Sequence, residues 1–273
     1  MLNSFKPWTG YALRIGVAPG ALALVRTSIW RHEHALLLED VHVKGDGREG
    51  LTDALYALLD RHPVRGWPLT LVLADELVRL WQVTPPRGST RLSDLKAASA
   101  LRFQTLFGDS AADWRIQADW SATRPFLAAA LPQAWLDGFF GVARARRCHL
   151  TEVVPQLVAA LNQYRRLRRP DAWFGLSHGG VLNLAVFDGK AFTAVRATPF
   201  PSGADCDWLN AYIAREALRI GVERPGRLEI CGPTPRAWAV NPERLEFACT
   251  VFEDAVDPLW SDAARLALTG RLL

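Results

Sequence analysis

Residues 11–28, YALRIGVAPGALALVRTS, contain two apolar runs on either side of a proline–glycine pair. The first run covers 11–17 and the second covers 21–28, and each has the length and the apolar, β-branched character of a strand. Pro19 and Gly20 are typical turn residues because proline presets its φ angle and glycine tolerates a positive one. These residues therefore predict a β-hairpin near the start of the chain.

The segments after this hairpin predict one further strand, a helix and a buried strand. Residues 34–43 form the predicted third strand, and the glycine-rich stretch 45–47 is a loop. Leucines at 51, 55, 58 and 59 follow helical spacing, and Pro63 ends that helix. The short apolar run 69–73 has the pattern of a strand buried inside a sheet.

The second half of the chain repeats this order of elements. Strands are predicted at 172–176, 181–187 and 191–196, and Asp188 and Gly189 form the turn between the last two. A helix over 209–220 follows, Gly221 ends it, and 227–231 is a short strand. Each half thus reads hairpin, third strand, helix and short strand. Such a repeat also arises by coincidence in α/β proteins, so both explanations stay open at this point.

A segment of different character separates the two halves. Ser89 or Thr90 is predicted to cap a helix that Gly108 ends, two strands follow at 114–120 and 126–131, and Pro132 begins another helix. Further helices are predicted at 151–168 and 258–268. The predicted domains are a first lobe at 1–90, joined by 150–169 and 255–273, an inserted subdomain at 91–149 and a second lobe at 170–254.

Composition excludes several classes of protein. The chain has 273 residues, 49% of them hydrophobic and 22% charged, which is typical of globular domains rather than disordered ones. The four cysteines lack the close spacing of zinc sites or disulfide frameworks, and a net charge of +4 is too small to indicate nucleic-acid binding. No apolar stretch reaches the roughly 20 residues of a membrane helix, and the first ten residues do not resemble a signal peptide. We expect a cytoplasmic protein.

Several segments resemble one group of bacterial proteins. The stretches LVLADELVRLWQVTPP, LSDLKAASALRFQTLFG, LTEVVPQLVAALNQ and ARLALTGRLL are similar to the type IV pilus assembly protein PilM and to the cytoplasmic domain of the type II secretion protein GspL. The resemblance extends over roughly residues 11–273. It implies an α/β, actin-like (RNase H-like) fold with two duplicated lobes and a small inserted α/β subdomain.

The same resemblance implies a nucleotide cleft that has lost its chemistry. Actin-like ATPases carry a carboxylate in each phosphate-binding hairpin, which holds magnesium and orients the attacking water. Here the first hairpin has Arg14 at the place of the acid, and the second, at Leu176–Gly180, has no acid. We therefore expect no catalytic residue, no metal site and no cofactor. Weak binding of ATP without a metal is an alternative that stays open. The positions of this degenerate cleft are Arg14, Gly16, Gly20, His178, Gly179, Gly180 and Gly232.

The resemblance also implies a partner. PilM-like proteins lie on the cytoplasmic face of the inner membrane and hold the N-terminal cytoplasmic tail of a bitopic membrane protein in a groove between the first lobe and the insert. The corresponding function here is that of a scaffold in a type IV pilus or type II secretion platform. A second candidate partner is the motor ATPase of the pilus or secretion system. The predicted groove residues are Leu77, Leu80, Trp81, Val83, Leu95, Leu101 and Phe103.

Two alternatives stay open at the level of sequence. A nucleotide-binding ATPase or sugar-kinase-like enzyme of the same superfamily requires a carboxylate from elsewhere, and Asp75, Asp188 and Asp205 are the candidates.

The GxSxG motif at Gly175–Gly179 is typical of α/β-hydrolases, but no histidine follows His178, so a triad in the usual chain order is excluded. An unrelated α/β interaction domain is the third hypothesis.

Overall fold

The computed structural model describes residues 10–28, 35–43, 48–169, 171–252 and 259–271, with only the backbone at 48 and 49. The strands in this part of the chain are β1 (Tyr11–Ala18), β2 (Ala21–Ser28), β3 (Ala35–His42), β4 (Pro68–Leu73), β5 (Arg79–Val83), β6 (Trp114–Ala118), β7 (Phe126–Pro132), β8 (His149–Pro155), β9 (Trp173–His178), β10 (Val181–Asp188), β11 (Ala191–Pro199), β12 (Arg227–Cys231) and β13 (Ala248–Val251). The α-helices are α1 (Arg48–Asp60), α2 (Leu92–Phe107), α3 (Gln133–Arg146), α4 (Gln156–Gln163), α5 (Cys206–Ile220), α6 (Arg236–Val240) and α7 (Asp262–Leu268).

Two five-stranded sheets have the same topology. The first has the order β3-β2-β1-β4-β8 and the second the order β11-β10-β9-β12-β13. In each sheet the first three strands in sequence pair antiparallel, and the remaining two run parallel to the central strand. A helix, α1 or α5, connects the third strand to the fourth in both cases. The predicted repeat of hairpin, third strand, helix and short strand is therefore confirmed.

The chain divides into two compact units. One comprises Met1–Arg79, Leu131–Gln163 and Val256–Leu273, and the other comprises Leu80–Ala130 and Tyr164–Ala255. In the first unit, α7 contacts β1 and β2, α4 contacts β4 and β8, and α1 packs against α3. The second unit holds the second five-stranded sheet and most of a three-stranded sheet of order β5-β7-β6.

The fifth strand of each large sheet was not predicted from sequence. The prediction of a helix over 151–168 is wrong, because β8 extends to Pro155 and α4 ends at Gln163. In β8, Val153 pairs in parallel with Leu71 of β4, while Thr151 and Glu152 are exposed. Both β8 and β13 are edge strands, whose polar positions weaken the apolar pattern by which a strand is recognised.

Two predicted helix ends agree with the structure, whereas the predicted start of α2 does not. Gly108 and Gly221 end α2 and α5 in the left-handed conformation, as predicted. The predicted cap of α2 at Ser89 or Thr90 is wrong, because Arg91 occupies that position without a side-chain hydrogen bond. For the last helix, Ser261 caps α7 and accepts a hydrogen bond from the Ala264 amide at 3.1 Å, so the helix begins at Asp262. The predicted start at 258 lies outside the described residues.

The hydrophobic core of the second unit has two parts. One lies between α5 and the second five-stranded sheet and includes Trp173, Leu184, Tyr212 and Trp238. The other lies between α2 and the three-stranded sheet. None of the helices in the described part of the chain combines the length and the apolar character that crossing a bilayer requires. All four cysteines are free thiols.

Candidate functional site

Arg14 lies where the first phosphate-binding hairpin of an actin-like ATPase carries its acid. Here its side chain is hydrogen-bonded to the C-terminal end of helix α7. Its Nε donates a hydrogen bond to the carbonyl oxygen of Ala267 at 2.6 Å, and its Nη2 donates to that of Thr269 at 2.5 Å. These carbonyls belong to the C-terminal end of α7, where a helix leaves acceptors unpaired and carries partial negative charge. Burial lowers the pKa of Arg14 to about 10. The negative charge of Glu152 raises this pKa, and the positive charge of Arg271 lowers it further. The guanidinium therefore has a structural role at this position.

Gly16, two residues further along β1, allows α7 to lie directly on the strand. A Cβ atom at this position would be 1.9 Å from the carbonyl oxygen of Ala263 and 2.8 Å from the amide nitrogen of Ala267. Both are backbone atoms, so no side-chain movement relieves the overlap. The glycine that the sequence marks as part of a phosphate-binding hairpin is thus required by packing.

The two hairpin turns are formed by glycines in left-handed conformations. Gly20 has a φ of 74° between β1 and β2, and Gly179 and Gly180 have φ values of 55° and 75° between β9 and β10. Two consecutive residues with positive φ are typical of a type I′ turn, which suits the twist of a hairpin. Both predicted hairpins are confirmed, each within its own unit, and His178 is buried at the end of β9.

Gly232 lies where β12 passes β9. A Cβ atom on Gly232 would be 2.1 Å from the carbonyl oxygen of Ser177, and the Gly232 φ is 85°. The Ser177 hydroxyl donates to the carbonyl oxygen of Pro233 at 2.5 Å and is buried. The serine of the GxSxG motif therefore links the end of β9 to the loop that follows β12. His178 follows it in sequence on β9, where adjacent side chains point to opposite faces of a sheet.

The three carboxylates named for the enzymatic alternative have different surroundings. Asp75 follows β4 and accepts hydrogen bonds from the Leu157 amide, at 3.0 Å to Oδ1 and 3.2 Å to Oδ2, so it caps α4. Asp205 caps α5 by accepting from the Trp208 amide at 2.9 Å. Asp188 is exposed at the end of β10. Two of the three thus have a capping role that explains their position.

Asp75 lies in surroundings that disfavour its charged form. Burial raises its pKa to about 7, its bonds to the amides of Leu157 and Gln156 oppose this rise, and Glu76 adds to it. The pKa of Glu76 is raised in turn by burial and by Asp262. In the described residues, no group of three or more histidine, cysteine or acidic side chains is placed to hold a metal ion.

Four of the seven predicted groove residues lie in the core between α2 and the three-stranded sheet. Trp81 packs on Phe103, with ring centroids 5.3 Å apart, and both are buried together with Val83 and Leu95 between α2 and the three-stranded sheet. Leu77 and Leu80 are partly exposed, and Leu101 is 68% exposed. The structure therefore brings together Trp81, Val83, Leu95 and Phe103 as interior residues, and their contact with a partner stays a prediction.

Helix α2 also exposes leucines that the sequence reasoning did not select. Leu92 near its start and Leu106 near its end are both about half exposed, in addition to Leu101. Their inward neighbours Leu95 and Phe103 follow the helical period, which identifies the buried face. Leu101 falls off that period and could have been found in this way from the sequence, whereas Leu92 and Leu106 follow the period at the two ends of the helix.

Comparison with known proteins identifies the fold. No family model matches the sequence, and no curated protein matches it. A chain of the PilM–PilN type IV pilus biogenesis complex is similar in structure, with a TM-score of 0.61 at 16% identity over 95% of this chain and 94% of that one. The cytoplasmic domain of EpsL, an inner-membrane component of the type II secretion system of Vibrio cholerae, has a TM-score of 0.56 at 13% identity over 94% and 92%.

A protein of Bacteroides thetaiotaomicron with an actin-like ATPase fold and unknown function is also similar. Its TM-score is 0.59 at 10% identity, over 98% of this chain and 99% of that one. At such identities the similarity is one of fold. The chain therefore has the actin-like ATPase fold, and the predicted fold class is confirmed.

Proposed function

We propose that this chain is a scaffold of a type IV pilus or type II secretion platform at the inner membrane, where it binds the cytoplasmic tail of a bitopic membrane protein and does not hydrolyse ATP. The fold supports this proposal, because it is shared with a chain of the PilM–PilN complex and with the cytoplasmic domain of EpsL. A fold hosts many functions, so a functional role depends on the chemistry of particular residues.

The bonds of Arg14 to Ala267 and Thr269 carry the proposal. An actin-like ATPase places a metal-directing carboxylate at this point of β1, whereas here a buried cation satisfies the last carbonyls of α7. The change is more than the loss of an acid, since the replacing side chain stabilises the closing helix. Metal-assisted phosphoryl transfer therefore lacks its ligand on β1, and a binding role accounts for the fold without it.

The exposed face of α2 is the proposed contact surface in the insert. It presents Leu101, while the opposite face, with Leu95 and Phe103, packs on the three-stranded sheet. Leu92 and Leu106 are half exposed at the two ends of the helix. An amphipathic or extended tail that covers these leucines would remove apolar surface from water, which favours association. A rigid helix is suited to this because it loses little conformational freedom on binding.

The experiment is a titration with synthetic peptides that cover the cytoplasmic tails of bitopic membrane proteins encoded by neighbouring genes. Leu101→Glu should weaken binding of the cognate tail by about tenfold or more, because a charge would be desolvated at the interface. Val240→Glu is the matched control, since Val240 is similarly exposed but lies on α6, and it should bind normally. If no tail binds the folded protein, or both variants bind like the original chain, the proposal is wrong.

A further inference from the structure

Glu216 of α5 is a buried carboxylate with three arginines around it. Only 1% of its side chain is exposed. The nearest guanidinium nitrogens are those of Arg219 at 3.1 Å, Arg196 at 3.5 Å and Arg215 at 3.8 Å. We name these four residues the Glu216 cluster. Arg196 comes from β11, and the other three residues come from α5.

The cluster contains more positive charge than its carboxylate requires. A buried carboxylate is stabilised when one well-placed cation pairs with it. Three arginines and one glutamate leave an excess of two positive charges, and none of these arginines pairs with a second carboxylate in the described chain. Neutralising Glu216 requires one arginine, and the positive charge of the other two is not balanced by a second carboxylate among the described residues.

The three arginines contact neighbouring residues of the protein and are also partly exposed to solvent. Their side chains are 42%, 60% and 65% exposed for Arg196, Arg215 and Arg219. Arg196 also donates to the carbonyl oxygen of Val195 at 3.0 Å, and Arg215 lies over the ring of Tyr212 at 5.5 Å. Each guanidinium carries five N–H donors, so donors remain for a ligand. Side chains that are already oriented lose less freedom when they bind a carboxylate through two parallel hydrogen bonds.

We propose that the Glu216 cluster binds an acidic segment of a partner protein. Charge complementarity favours carboxylates as the ligand, and Leu218, which is 81% exposed between Arg215 and Arg219 in sequence, offers an apolar contact beside them. This surface differs from the face of α2, so the inference goes beyond the proposed function and does not depend on it.

Two observations favour a polypeptide over a membrane surface. Basic segments that bind anionic lipids contain about four to eight lysines or arginines, more than the three present here. The cluster also borders β11, an edge strand of its sheet. The outer edge of β11 has no strand paired to it among the residues that the structure describes, and such edges pair with extended peptide segments.

The test uses fluorescence anisotropy with a labelled peptide of alternating glutamate and leucine, and a second peptide with glutamine in place of glutamate. The full chain should bind the glutamate peptide more tightly. Arg215→Gln/Arg219→Gln leaves Arg196 as an ion-pair partner of Glu216 at 3.5 Å but removes the hydrogen bond that Arg219 donates to it. This variant should weaken peptide binding by about tenfold through the loss of charge-assisted hydrogen bonds to the peptide. Arg65→Gln/Arg124→Gln removes the same charge from exposed positions elsewhere and should change affinity less than about twofold.

Several outcomes would overturn the proposal. Equal binding of the two peptides, or an equal loss in both double variants, would mean that the cluster recognises nothing beyond net charge. Binding of phosphatidylglycerol vesicles through the cluster, with no binding of the glutamate peptide, would assign it to lipid. A dimer that the Arg215→Gln/Arg219→Gln variant abolishes would assign it to a second copy of the chain. Circular dichroism verifies folding, and Arg215→Gln alone, at the longest of the three distances, is the variant to use if the double variant unfolds.

Discussion

Arg14 and Ala267 are joined by a 2.6 Å hydrogen bond although 253 positions separate them in the sequence. The bond links the first strand to the closing helix, and Gly16 next to it lets that helix approach the strand at backbone distance. Two positions that a nucleotide-binding hairpin would use for phosphate chemistry thus serve to attach α7.

Replacing Arg14 should destabilise the protein. In Arg14→Met the carbonyl oxygens of Ala267 and Thr269 lose their charged donor inside the fold, and a loss of about 3 kcal/mol in the free energy of unfolding is expected. Urea unfolding measures this loss. Arg115→Met is the control, because Arg115 is exposed on β6, and it should stay within about 0.5 kcal/mol. Equal stability of the two variants would show that the bonds of Arg14 contribute nothing.

A single methyl group at Gly16 should have a larger effect than the same group at Gly141. Gly16→Ala forces the backbone of α7 away from β1, so a loss of at least about 3 kcal/mol or failure to fold is expected. Gly141 lies in α3 with open space around its Cα, and Gly141→Ala should stabilise the protein by about 0.5–1 kcal/mol through helix propensity. Thermal unfolding of both variants tests this, and similar melting temperatures would contradict it.

Asp75 should make stability fall as the pH rises through neutrality. Its pKa in the folded protein is about 7, above the ordinary value of 3.8, so the folded state binds more protons between these values. Its contribution is fully present below about pH 4 and is lost as the pH rises through about 7, with a slope of up to about 1.4 kcal/mol per pH unit.

The measurement is the difference in free energy of unfolding between the original chain and Asp75→Asn, from urea unfolding between pH 5 and pH 8. Asparagine keeps an acceptor for the Leu157 amide but does not titrate, so this difference isolates the carboxylate from other groups such as Glu76. The original chain should lose stability relative to Asp75→Asn with increasing pH. If the stability of the original chain relative to Asp75→Asn stays constant or increases with pH, the carboxylate is not desolvated.

Calorimetry with ATP and magnesium should give no saturable, magnesium-dependent heat. Neither hairpin offers a carboxylate for the metal, and the guanidinium of Arg14 already donates to α7. The variant Arg14→Asp should not gain binding, because the new carboxylate would lie against carbonyl oxygens instead of a metal. Magnesium-dependent binding in the micromolar range by the original chain would favour the enzymatic alternative.

Much of the fold could be predicted because its signals are local. Gly20, Gly179 and Gly180 allow turns that few other residues form, and apolar spacing distinguishes strands from helices over a few positions. The edge strand β8 was missed because its identity depends on pairing with β4, which lies some eighty positions earlier in the chain. The burial of Trp81 and Phe103 in a core could not be predicted, because apolarity alone does not distinguish a core from an interface.

The sequence by itself determined the duplicated order of elements and the lack of an acid in either hairpin, since both depend on residue types within a short stretch. Only the tertiary structure decided what Arg14 does instead, that Asp75 caps α4, and that Glu216 gathers arginines from both a helix and a strand. These relationships depend on which distant segments fold against each other. Their energies arise from burial and hydrogen bonding, which no single segment of the chain possesses before it folds.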